Sequence, residues 1–524
     1  MKILPIGRQT FSDIVGNGLL YVDKTKYLDQ LANGGKYYFF SRPRRFGKSL
    51  TLSTLKSYFQ GKKELFKGLA ISRLEKKWQS HPVLLLDYSL VEYRSGKEVF
   101  HASLLRYLQT LSKGLGVEVE GNIVKNFFQE LIIALFEKYG PVVILVDEYD
   151  KPLVDVLTEQ EKFDENRDVL NGFYGVLKGL DDKLRFVMLT GVSRFAKVSV
   201  FSGLNNLEDI TMDKRYQSLV GFTEEELRHY FKEHLAALAA EFEVSEKEVL
   251  QEMAKWYNGY SWGGEERVYN PFSILNLFNK NRFENYWFET GTPSFLIDLF
   301  VQQKELPEHM ENVEVTDLSS SSNNPADISL HALLFQTGYL TILKKTRDAY
   351  GQEYILGYPN EEVRRSFVTY LMVAFARKDK FKIQPDAINL RSALRKEDPD
   401  MFLDIIRAYF ANIPSRLHIP KEAYYHSLVY MILTLVGLKM DLEKPTDKGQ
   451  IDGVMELPDK VYVIEFKFAA SKRVKNVDTL AKQAIKQIEE KKYYEPYIAT
   501  GKKILLFGIG FLNKKIGGKL KVLK

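Results

Sequence analysis

Residues 37–55 read YYFFSRPRRFGKSLTLSTL. The aromatic run Tyr37–Phe40 fits a buried strand, and the leucines near the end of the stretch fit a helix. Between them lies a basic loop that ends in Gly47, Lys48 and Ser49. A strand, a loop ending in Gly-Lys-Ser and a helix, in this order, form the context in which backbone N–H groups bind phosphate. The stretch therefore predicts a nucleotide-binding P-loop at the start of an α/β domain.

The loop residues predict specific contacts. Lys48 would reach the β- and γ-phosphates, and the Ser49 hydroxyl would bind Mg²⁺. Arg42 stands where such loops usually carry a glycine, which restricts the φ angles of the loop. A basic turn before a surface helix is the alternative that the motif alone leaves open. The other residues predicted to bind the nucleotide are Arg44, Arg45, Phe46, Gly47 and Leu50.

Three further apolar runs predict the remaining strands of the first domain: Val83–Asp87, Val142–Asp147 and Arg185–Leu189. Long helical stretches separate them, as expected for buried parallel strands joined by crossover helices. Before the P-loop, YVDKTKYLDQL predicts a short strand followed by an amphipathic helix. The predicted fold class is α/β, with a P-loop NTPase parallel sheet that binds its ligand at the carboxyl ends of the strands.

Polar residues follow two of these strands. Asp147 would hold the magnesium ion, and Glu148 would orient or deprotonate the attacking water. After the next strand, Ser193 or Thr190 would contact the γ-phosphate, and Arg194 would stabilise the developing charge. Arg194 would act in cis or across the boundary of a homo-oligomer. An ordinary exit from strand to loop is the alternative for these last three residues.

Composition narrows the class of protein. The chain has 524 residues, of which 45% are apolar, so two to four folded domains are expected. Cysteine is absent, which excludes disulfides and thiolate chemistry. The longest apolar run, Leu428–Leu438, is too short to cross a bilayer, so we expect a cytoplasmic protein without a membrane partner. The net charge of +6 is mild. The lysine-rich residues 501–524 indicate either a surface for polyanions or a solvated tail.

The predicted domains are a P-loop core at 1–220, a helical lid at 221–305, a linker with a small winged-helix-like connector at 306–384, and a last domain at 385–524. Thr223 and Glu226 form a capping box that predicts the start of a lid helix. The connector is predicted from a helix, two strands and a second helix, and a structural role suits it better than nucleic-acid reading.

Two strands joined by a four-residue turn are predicted near the end of the chain. Pairing Glu456 with Val461 across the turn sets Asp452 opposite Glu465, and alternation places Lys467 on the same face. Opposed carboxylates repel unless a cation lies between them. Asp452 and Glu465 would hold Mg²⁺, and Lys467 would position a water. This arrangement predicts hydrolysis of a phosphodiester. A solvent-facing hairpin of mixed charges is the alternative.

Several blocks of the chain resemble one known family. SRPRRFGKSLTLSTL, LVDEYDKPL, TGVSRFAKVSVFSGLNNLEDIT and WYNGYSWGGEERVYNPFSIL resemble the bacterial AAA-ATPase-like family. GQIDGVMEL, VIEFKF and QAIKQIEEKKYYEPY resemble the C-terminal PD-(D/E)xK nuclease-superfamily domain of that family, which has a restriction-endonuclease-like α/β fold. The resemblance implies that Asp147 is the Walker-B aspartate and that Arg42 belongs to the family's own loop variant. It also implies a core triad of Asp452, Glu465 and Lys467, with accessory positions at His426 and Gln487.

These observations predict an ATP-binding and ATP-hydrolysing P-loop domain coupled to a magnesium-dependent nuclease-like domain that acts on nucleic acid. The expected cofactors are ATP and Mg²⁺. A nucleotide-gated regulatory protein, whose nuclease fold binds a partner or DNA without cleaving, is the alternative from another class. A site that binds ATP without hydrolysing it is a third reading of the loop.

Overall fold

The computed structural model describes residues 1–194, 200–201, 206–287, 296, 310–318, 329–347, 351–376, 380–412, 422–435, 440–446, 449–469, 476–512 and 515–523, and within helices and strands some of these by their backbone alone. The chain divides into two compact units. The first comprises Met1–Leu296 and Asn312–Val363, and the second comprises Ile297–Glu311 and Arg364–Lys524.

A parallel five-stranded sheet is the centre of the first unit. Its strands are β1 (Tyr37–Ser41), β2 (Val83–Asp87), β3 (Val142–Asp147), β4 (Leu184–Gly191) and β5 (Glu208–Asp209), in the order β2-β3-β4-β1-β5. The residues of β1 and β3 are buried throughout, which explains why these strands read as continuous apolar runs. Because β4 lies between β1 and β3, its carboxyl end comes between the P-loop and Asp147. The predicted α/β fold class is confirmed.

Helices cover this sheet. The α-helices of the first unit up to residue 174 are Phe11–Gly16, Thr25–Gly34, Lys48–Phe59, Ile71–Leu74, Lys97–Gly114, Val124–Tyr139, Lys151–Val154 and Gln160–Tyr174. Short 3₁₀ helices are formed by Lys63–Phe66, Tyr88–Leu90, Gly175–Lys183 and Lys214–Tyr216. The predicted short strand in YVDKTKYLDQL does not form. The Asp23 carboxylate instead accepts hydrogen bonds from the Thr25 and Ala70 backbone N–H groups, which fixes a turn before the helix Thr25–Gly34.

Four helices follow the sheet in the region predicted to be a lid: Glu224–Tyr230, Lys232–Glu241, Glu246–Tyr257 and Pro271–Lys280. The predicted capping box of Thr223 and Glu226 is confirmed, since each side chain accepts a hydrogen bond from the other residue's backbone N–H. The apolar faces of these helices pack into one cluster that also contains Leu20 and Val22 from the N-terminal segment. These four helices therefore share an apolar core with the N-terminal segment.

The first unit ends in a small antiparallel sheet. It consists of β6 (Val313–Val315), β7 (Thr341–Arg347) and β8 (Gln352–Gly357), in the order β6-β8-β7, and the helix Leu330–Thr337 lies between β6 and β7 in the chain. The predicted succession of helix, two strands and helix is confirmed, because Glu361–Ala376 forms the helix that follows. Much of the predicted linker around SSSSNNP lies outside the described residues.

A mixed five-stranded sheet is the centre of the second unit. Its strands are β9 (Met440–Thr446), β10 (Gly449–Glu456), β11 (Lys460–Ala469), β12 (Lys503–Leu512) and β13 (Lys515–Val522), in the order β13-β12-β11-β10-β9. Strand β11 runs parallel to β12 and antiparallel to β10. The helices of this unit are Lys380–Lys396, Pro399–Asn412, Glu422–Leu435, Val477–Lys491 and Glu495–Ile498. Ile485 and Ile488 pack on one face of the sheet, and Phe402 packs against Phe507 on this sheet.

The lysine-rich end of the chain is part of this sheet. The solvated-tail alternative is wrong, because residues 503–512 and 515–522 form β12 and β13. Lys502 pairs with Glu456, Lys503 pairs with Glu397, and Lys521 pairs with Glu489. These ion pairs balance a cluster that looked purely basic in sequence. No helix within the described residues is both long and apolar enough to cross a bilayer.

Candidate functional sites

The P-loop (residues 42–49) connects β1 to the helix Lys48–Phe59. Gly47 caps this helix with a φ of 102°, and Arg45 also adopts a positive φ, of 69°. Positive φ angles suit glycine and are uncommon elsewhere, so the loop follows a backbone path that an ordinary turn would avoid. The Lys48 ammonium folds back over this path and donates hydrogen bonds to the carbonyls of Arg42 (2.8 Å) and Pro43 (2.9 Å).

A cavity of about 480 Å³ lies beside the P-loop. Residues 44–51 form its first wall, which includes Arg44, Arg45, Phe46, Gly47, Lys48, Ser49 and Leu50. Two carboxylates and one ammonium line it at the carboxyl end of β3: Asp147, Glu148 and Lys151. The remaining lining includes Tyr21 and Val22 from the N-terminal segment, residues 219–222, and Phe272 from the helix Pro271–Lys280. This volume is within the range of small-molecule sites, and the predicted loop residues other than Arg42 meet in it.

Asp147 is the electrostatic centre of this cavity. Its carboxylate accepts a hydrogen bond from Thr190 Oγ1 at 2.8 Å. Burial raises the pKa of Asp147, and the Ser49 hydroxyl and the Lys48 ammonium oppose this rise. Burial likewise lowers the pKa of Lys48, which Asp147 opposes. An anion bound beside Lys48 would stabilise its charged form further. Thr190, and not Ser193, therefore contacts the carboxylate at the end of β3.

Glu148 is held in an unusual backbone conformation. Its φ of 52° lies in the left-handed region, which a residue with a side chain seldom adopts. Such strain persists at functional sites because the surrounding structure fixes it. The Glu148 side chain lines the cavity, and its Oε2 lies 3.1 Å from the Lys151 ammonium. Lys151 was not singled out from the sequence, where it reads as one more charged residue after a strand.

Arg42 has a different position from the other loop residues. Its side chain is fully buried, and the guanidinium donates to the carbonyls of Ser41 (2.9 Å) and Thr211 (2.7 Å). It also lies 4.0 Å from the centre of the Trp262 ring. Burial lowers the pKa of Arg42, and the carbonyl contacts compensate for the lost hydration. Arg42 thus supports the loop from behind and lies outside the cavity lining, and its predicted contact with the nucleotide stays a prediction.

Ser193 and Arg194 are also placed outside the cavity lining. Ser193 is fully buried, and its backbone N and its Oγ both lie 2.6 Å from Asp150 Oδ2. The Arg194 guanidinium donates to Asp209 Oδ2 through Nε (3.1 Å) and Nη2 (2.9 Å). The two residues hold the exit of β4 in place, and their predicted roles at the γ-phosphate stay predictions. Asp150, which sequence reasoning passed over, is the residue that holds this exit in place.

A buried carboxyl supports the P-loop from the side of the connector. Glu362 accepts hydrogen bonds from Ser273 Oγ (2.8 Å) and from the Trp287 backbone N–H (2.8 Å). The Trp287 indole in turn donates to the Arg44 carbonyl at 3.0 Å. Burial raises the pKa of Glu362 to about 8, although these donors lower it. The backbone of the loop is therefore tied to a carboxyl group that titrates near neutrality.

Replacing Glu362 by glutamine is expected to flatten the pH dependence of stability. The folded carboxyl keeps its proton up to about 8, whereas its ordinary pKa is 4.5, so the folded state binds more protons in between. The free energy of unfolding then falls as pH rises through this window, by up to about 1.4 kcal/mol per pH unit. Thermal melting of wild type and Glu362→Gln between about pH 5 and about pH 8 measures this slope. The exposed Glu246→Gln is the control, and equal slopes for wild type and Glu362→Gln would contradict the prediction.

The second candidate site lies on the hairpin of β10 and β11. Glu456 pairs with Val461 and Gly453 pairs with Ile464, which confirms the predicted register. Asp452 and Glu465 follow Gly453 and Ile464 as the next residues away from the turn on the two strands. The Asp452 carboxylate accepts a hydrogen bond from the backbone N–H of Phe466 at 2.7 Å, and the Lys467 ammonium lies 3.0 Å from Glu465 Oε1. The geometry therefore brings the predicted triad together.

The helix Val477–Lys491 adds a fourth residue. Gln487 donates a hydrogen bond to the same Glu465 oxygen that Lys467 contacts. This contact depends on a close approach of the helix to β12, where Gly508 is the neighbour of Glu465. A Cβ atom on Gly508 would lie 2.3 Å from the Ala481 carbonyl oxygen, so only glycine permits the approach. Gln487 thus lies in the site, as the resemblance implied.

Tyr493 completes this cluster and was missed from the sequence. Burial raises its pKa, and the nearby carboxylates Glu465 and Asp452 raise it further, while a hydrogen bond with Gln487 lowers it. Its hydroxyl thus lies among the predicted residues. Tyr493 and Tyr494 follow each other in the chain, and no spacing rule favours one of them. The backbone of His426 is in the helix Glu422–Leu435, but its side chain is outside the described residues, so its accessory role stays a prediction.

Comparison with known proteins identifies both parts of the chain. Residues 5–201 match the family described as a predicted AAA-ATPase, and residues 420–518 match the PD-(D/E)XK nuclease superfamily. A protein of Azotobacter chroococcum mcd 1, described as an uncharacterized protein in the vnfD 5' region, is 39% identical over 517 residues. The alignment covers 97% of this chain and 96% of that relative. The chain belongs to the AAA-ATPase-like family. The resemblance drawn from the sequence motifs is thereby confirmed.

Membership of the AAA-ATPase-like family with a PD-(D/E)XK domain points in general to nucleotide-related and nuclease-like activity, and such domains generally use a divalent metal. The side chains present suit this chemistry, because Asp147 and Ser49 in one site, and Asp452 and Glu465 in the other, offer the oxygen donors that Mg²⁺ prefers. Within the described part of the chain, no group of three or more His, Asp or Glu side chains is arranged so that it could hold a metal ion. In this AAA-ATPase-like protein each site thus offers one or two carboxylates to a metal.

Proposed function

We propose that this protein binds and hydrolyses ATP at the cavity of the first unit and cleaves nucleic-acid phosphodiester bonds at the hairpin of the second. The observation that carries the first part is the convergence of Lys48, Ser49, Asp147 and Glu148 on one cavity of about 480 Å³ beside the P-loop. These four side chains have the chemical types that phosphoryl transfer to water requires.

Each residue of the first site has a separate task in this proposal. Lys48 and the backbone N–H groups after Phe46 neutralise the phosphates, as a helix N-terminus does. Ser49 and Asp147 would hold Mg²⁺, which supplies positive charge against the phosphate oxygens. Thr190 keeps the Asp147 carboxylate in one orientation through its hydrogen bond. Glu148 orients the attacking water and takes its proton.

The second site divides its tasks in a similar way. Asp452 and Glu465 would hold Mg²⁺, which would polarise the phosphodiester. Lys467 lies beside Glu465 and is placed to position a water or to neutralise a phosphate oxygen. Gln487 fixes the orientation of the Glu465 carboxylate by donating to it. ATP and nucleic acid are thus the proposed ligands of the two sites.

The experiment that tests this function uses the purified full-length chain. Phosphate release from ATP is measured with and without Mg²⁺, and cleavage of plasmid and single-stranded DNA and of RNA is followed with Mg²⁺ or Mn²⁺. Metal-dependent turnover of ATP together with metal-dependent cleavage of a nucleic acid supports the proposal. Binding of DNA without cleavage would instead support the nucleotide-gated regulatory alternative, and an absence of ATP binding would overturn the first part.

A further inference from the structure

Lys151 lines the cavity at the carboxyl end of β3, together with Asp147 and Glu148. It begins the short helix Lys151–Val154, four residues after Asp147, and its backbone N–H donates to the Glu148 carbonyl at 3.0 Å. Its ammonium is 3.1 Å from Glu148 Oε2, and both side chains line the cavity. A cation at this distance from the proposed water-activating carboxylate is within reach of the phosphate that the water attacks.

A second carboxylate interacts electrostatically with this cation. Burial tends to raise the pKa of Asp155, but hydrogen bonds and the nearby charge of Lys151 keep it below its ordinary value. Asp155 is itself fixed by hydrogen bonds from the Tyr93 hydroxyl (2.6 Å) and the Arg94 guanidinium (2.8 Å). Lys151 therefore lies in the field of two carboxylates, Glu148 and Asp155, of which the second is rigidly held.

The arginine that the sequence favoured for this task is engaged elsewhere. Arg194 donates twice to Asp209, and its backbone N–H donates to Gln336 at 2.6 Å. Bringing its guanidinium to the cavity would break a charge-assisted pair that is partly buried, which is costly. Lys151 already lines the cavity and needs only to change its partner.

We propose that Lys151 is the cis-acting cation of ATP hydrolysis, which holds Glu148 in place before the reaction and neutralises the γ-phosphate oxygens during it. This inference rests on the proposed ATP hydrolysis. In that step an oxygen of water bonds to the γ-phosphorus while the bond from this phosphorus to the β–γ bridging oxygen breaks. ADP leaves with the electron pair, the proton of the water passes to Glu148, and Lys151 keeps its proton throughout.

The test compares Lys151→Met and Lys151→Arg with a matched control in the full-length protein. Lys162→Met is the control, because Lys162 forms an ion pair of the same spacing with Glu159, outside the cavity lining. We expect Lys151→Met to lower kcat by about 100-fold or more, with the Kd for ADP changed by no more than about threefold. Lys151→Arg should recover part of the loss, and Lys162→Met should match wild type. Affinity for ADP–aluminium fluoride, an analogue of the transition state, should fall with kcat in Lys151→Met.

Each outcome of this test either supports or overturns the role of Lys151. A kcat of Lys151→Met within a few-fold of wild type, or a parallel loss of ADP affinity, overturns the role of Lys151. If wild type binds ADP without turning over ATP, the proposed hydrolysis is overturned. Binding of ADP–aluminium fluoride then still tests whether Lys151 neutralises the charge of the γ-phosphate position. Weaker binding of this analogue by Lys151→Met then supports the cation role, and equal binding overturns it. A wild type that binds no nucleotide overturns both proposals.

Discussion

Replacing Lys48 by alanine is expected to abolish ATP turnover and to weaken nucleotide binding strongly. Lys48 is the buried cation of the P-loop that lines the cavity, and it faces the field of Asp147, Glu148 and Asp150. Without it, these carboxylates would repel the phosphates, and the ammonium of the P-loop would no longer compensate for this repulsion. We expect a fall in kcat of about 100-fold or more, since a group that stabilises developing charge contributes at least this much. Phosphate release and calorimetric titration with ATP measure the two effects.

A loss of folding must be separated from a loss of chemistry in this variant. The Lys48 ammonium also donates to the Arg42 and Pro43 carbonyls, so its removal leaves two loop carbonyls without this partner. Thermal melting and circular dichroism of Lys48→Ala therefore accompany the kinetics. Lys56→Ala, on the same helix but outside the cavity lining, should behave as wild type. Turnover by a folded Lys48→Ala protein at the wild-type rate would refute the nucleotide site.

Replacing Asp452 by asparagine is expected to abolish cleavage of nucleic acid. The substitution keeps the shape of the side chain, and its amide oxygen still accepts the hydrogen bond from the Phe466 N–H. It removes the negative charge that a divalent cation requires. Loss of a residue that merely orients a ligand costs 10–100-fold in metal affinity or activity, so loss of a ligand should cost about 100-fold or more. A time course of DNA cleavage at several Mn²⁺ concentrations measures the effect.

The hairpin itself supplies the control for this variant. Asp459 lies in the turn between β10 and β11, is largely exposed, and pairs with Lys460 at 3.4 Å. Asp459→Asn removes the same charge from the same hairpin and should leave cleavage unchanged. Equal cleavage by Asp452→Asn and wild type would exclude Asp452 as a metal ligand. If ATP turnover persists in Asp452→Asn while cleavage is lost, the two sites carry separate chemistries.

Sequence periodicity was sufficient for most of the architecture. The strands Val83–Asp87 and Val142–Asp147 have the predicted bounds, because parallel strands that are largely buried are continuous apolar runs. The register of β10 and β11 followed from the length of one turn. The strand predicted at the start of YVDKTKYLDQL does not form, because the Asp23 carboxylate accepts hydrogen bonds from two backbone N–H groups and fixes a turn there.

Site residues were harder to predict where their roles depend on distant partners. Arg42, Ser193 and Arg194 lie in or next to the predicted motifs, but their side chains bind other partners. These partners are the Thr211 carbonyl for Arg42, Asp150 for Ser193 and Asp209 for Arg194. Lys151 reaches the cavity because it begins the short helix Lys151–Val154. Tyr493 lies near Glu465 and Asp452 of the second sheet. None of these contacts has a fixed spacing along the chain, so no motif can encode them.

By itself, the sequence determined the P-loop, the acidic end of β3 and the paired carboxylates of the late hairpin. Each depends on interactions between residues that are near in sequence or joined by one turn, and local backbone geometry fixes those. Only the tertiary structure decided which charged side chains reach the cavity. Burial makes an unpaired charge costly, and the partner that satisfies it comes from wherever the fold brings one within hydrogen-bonding distance.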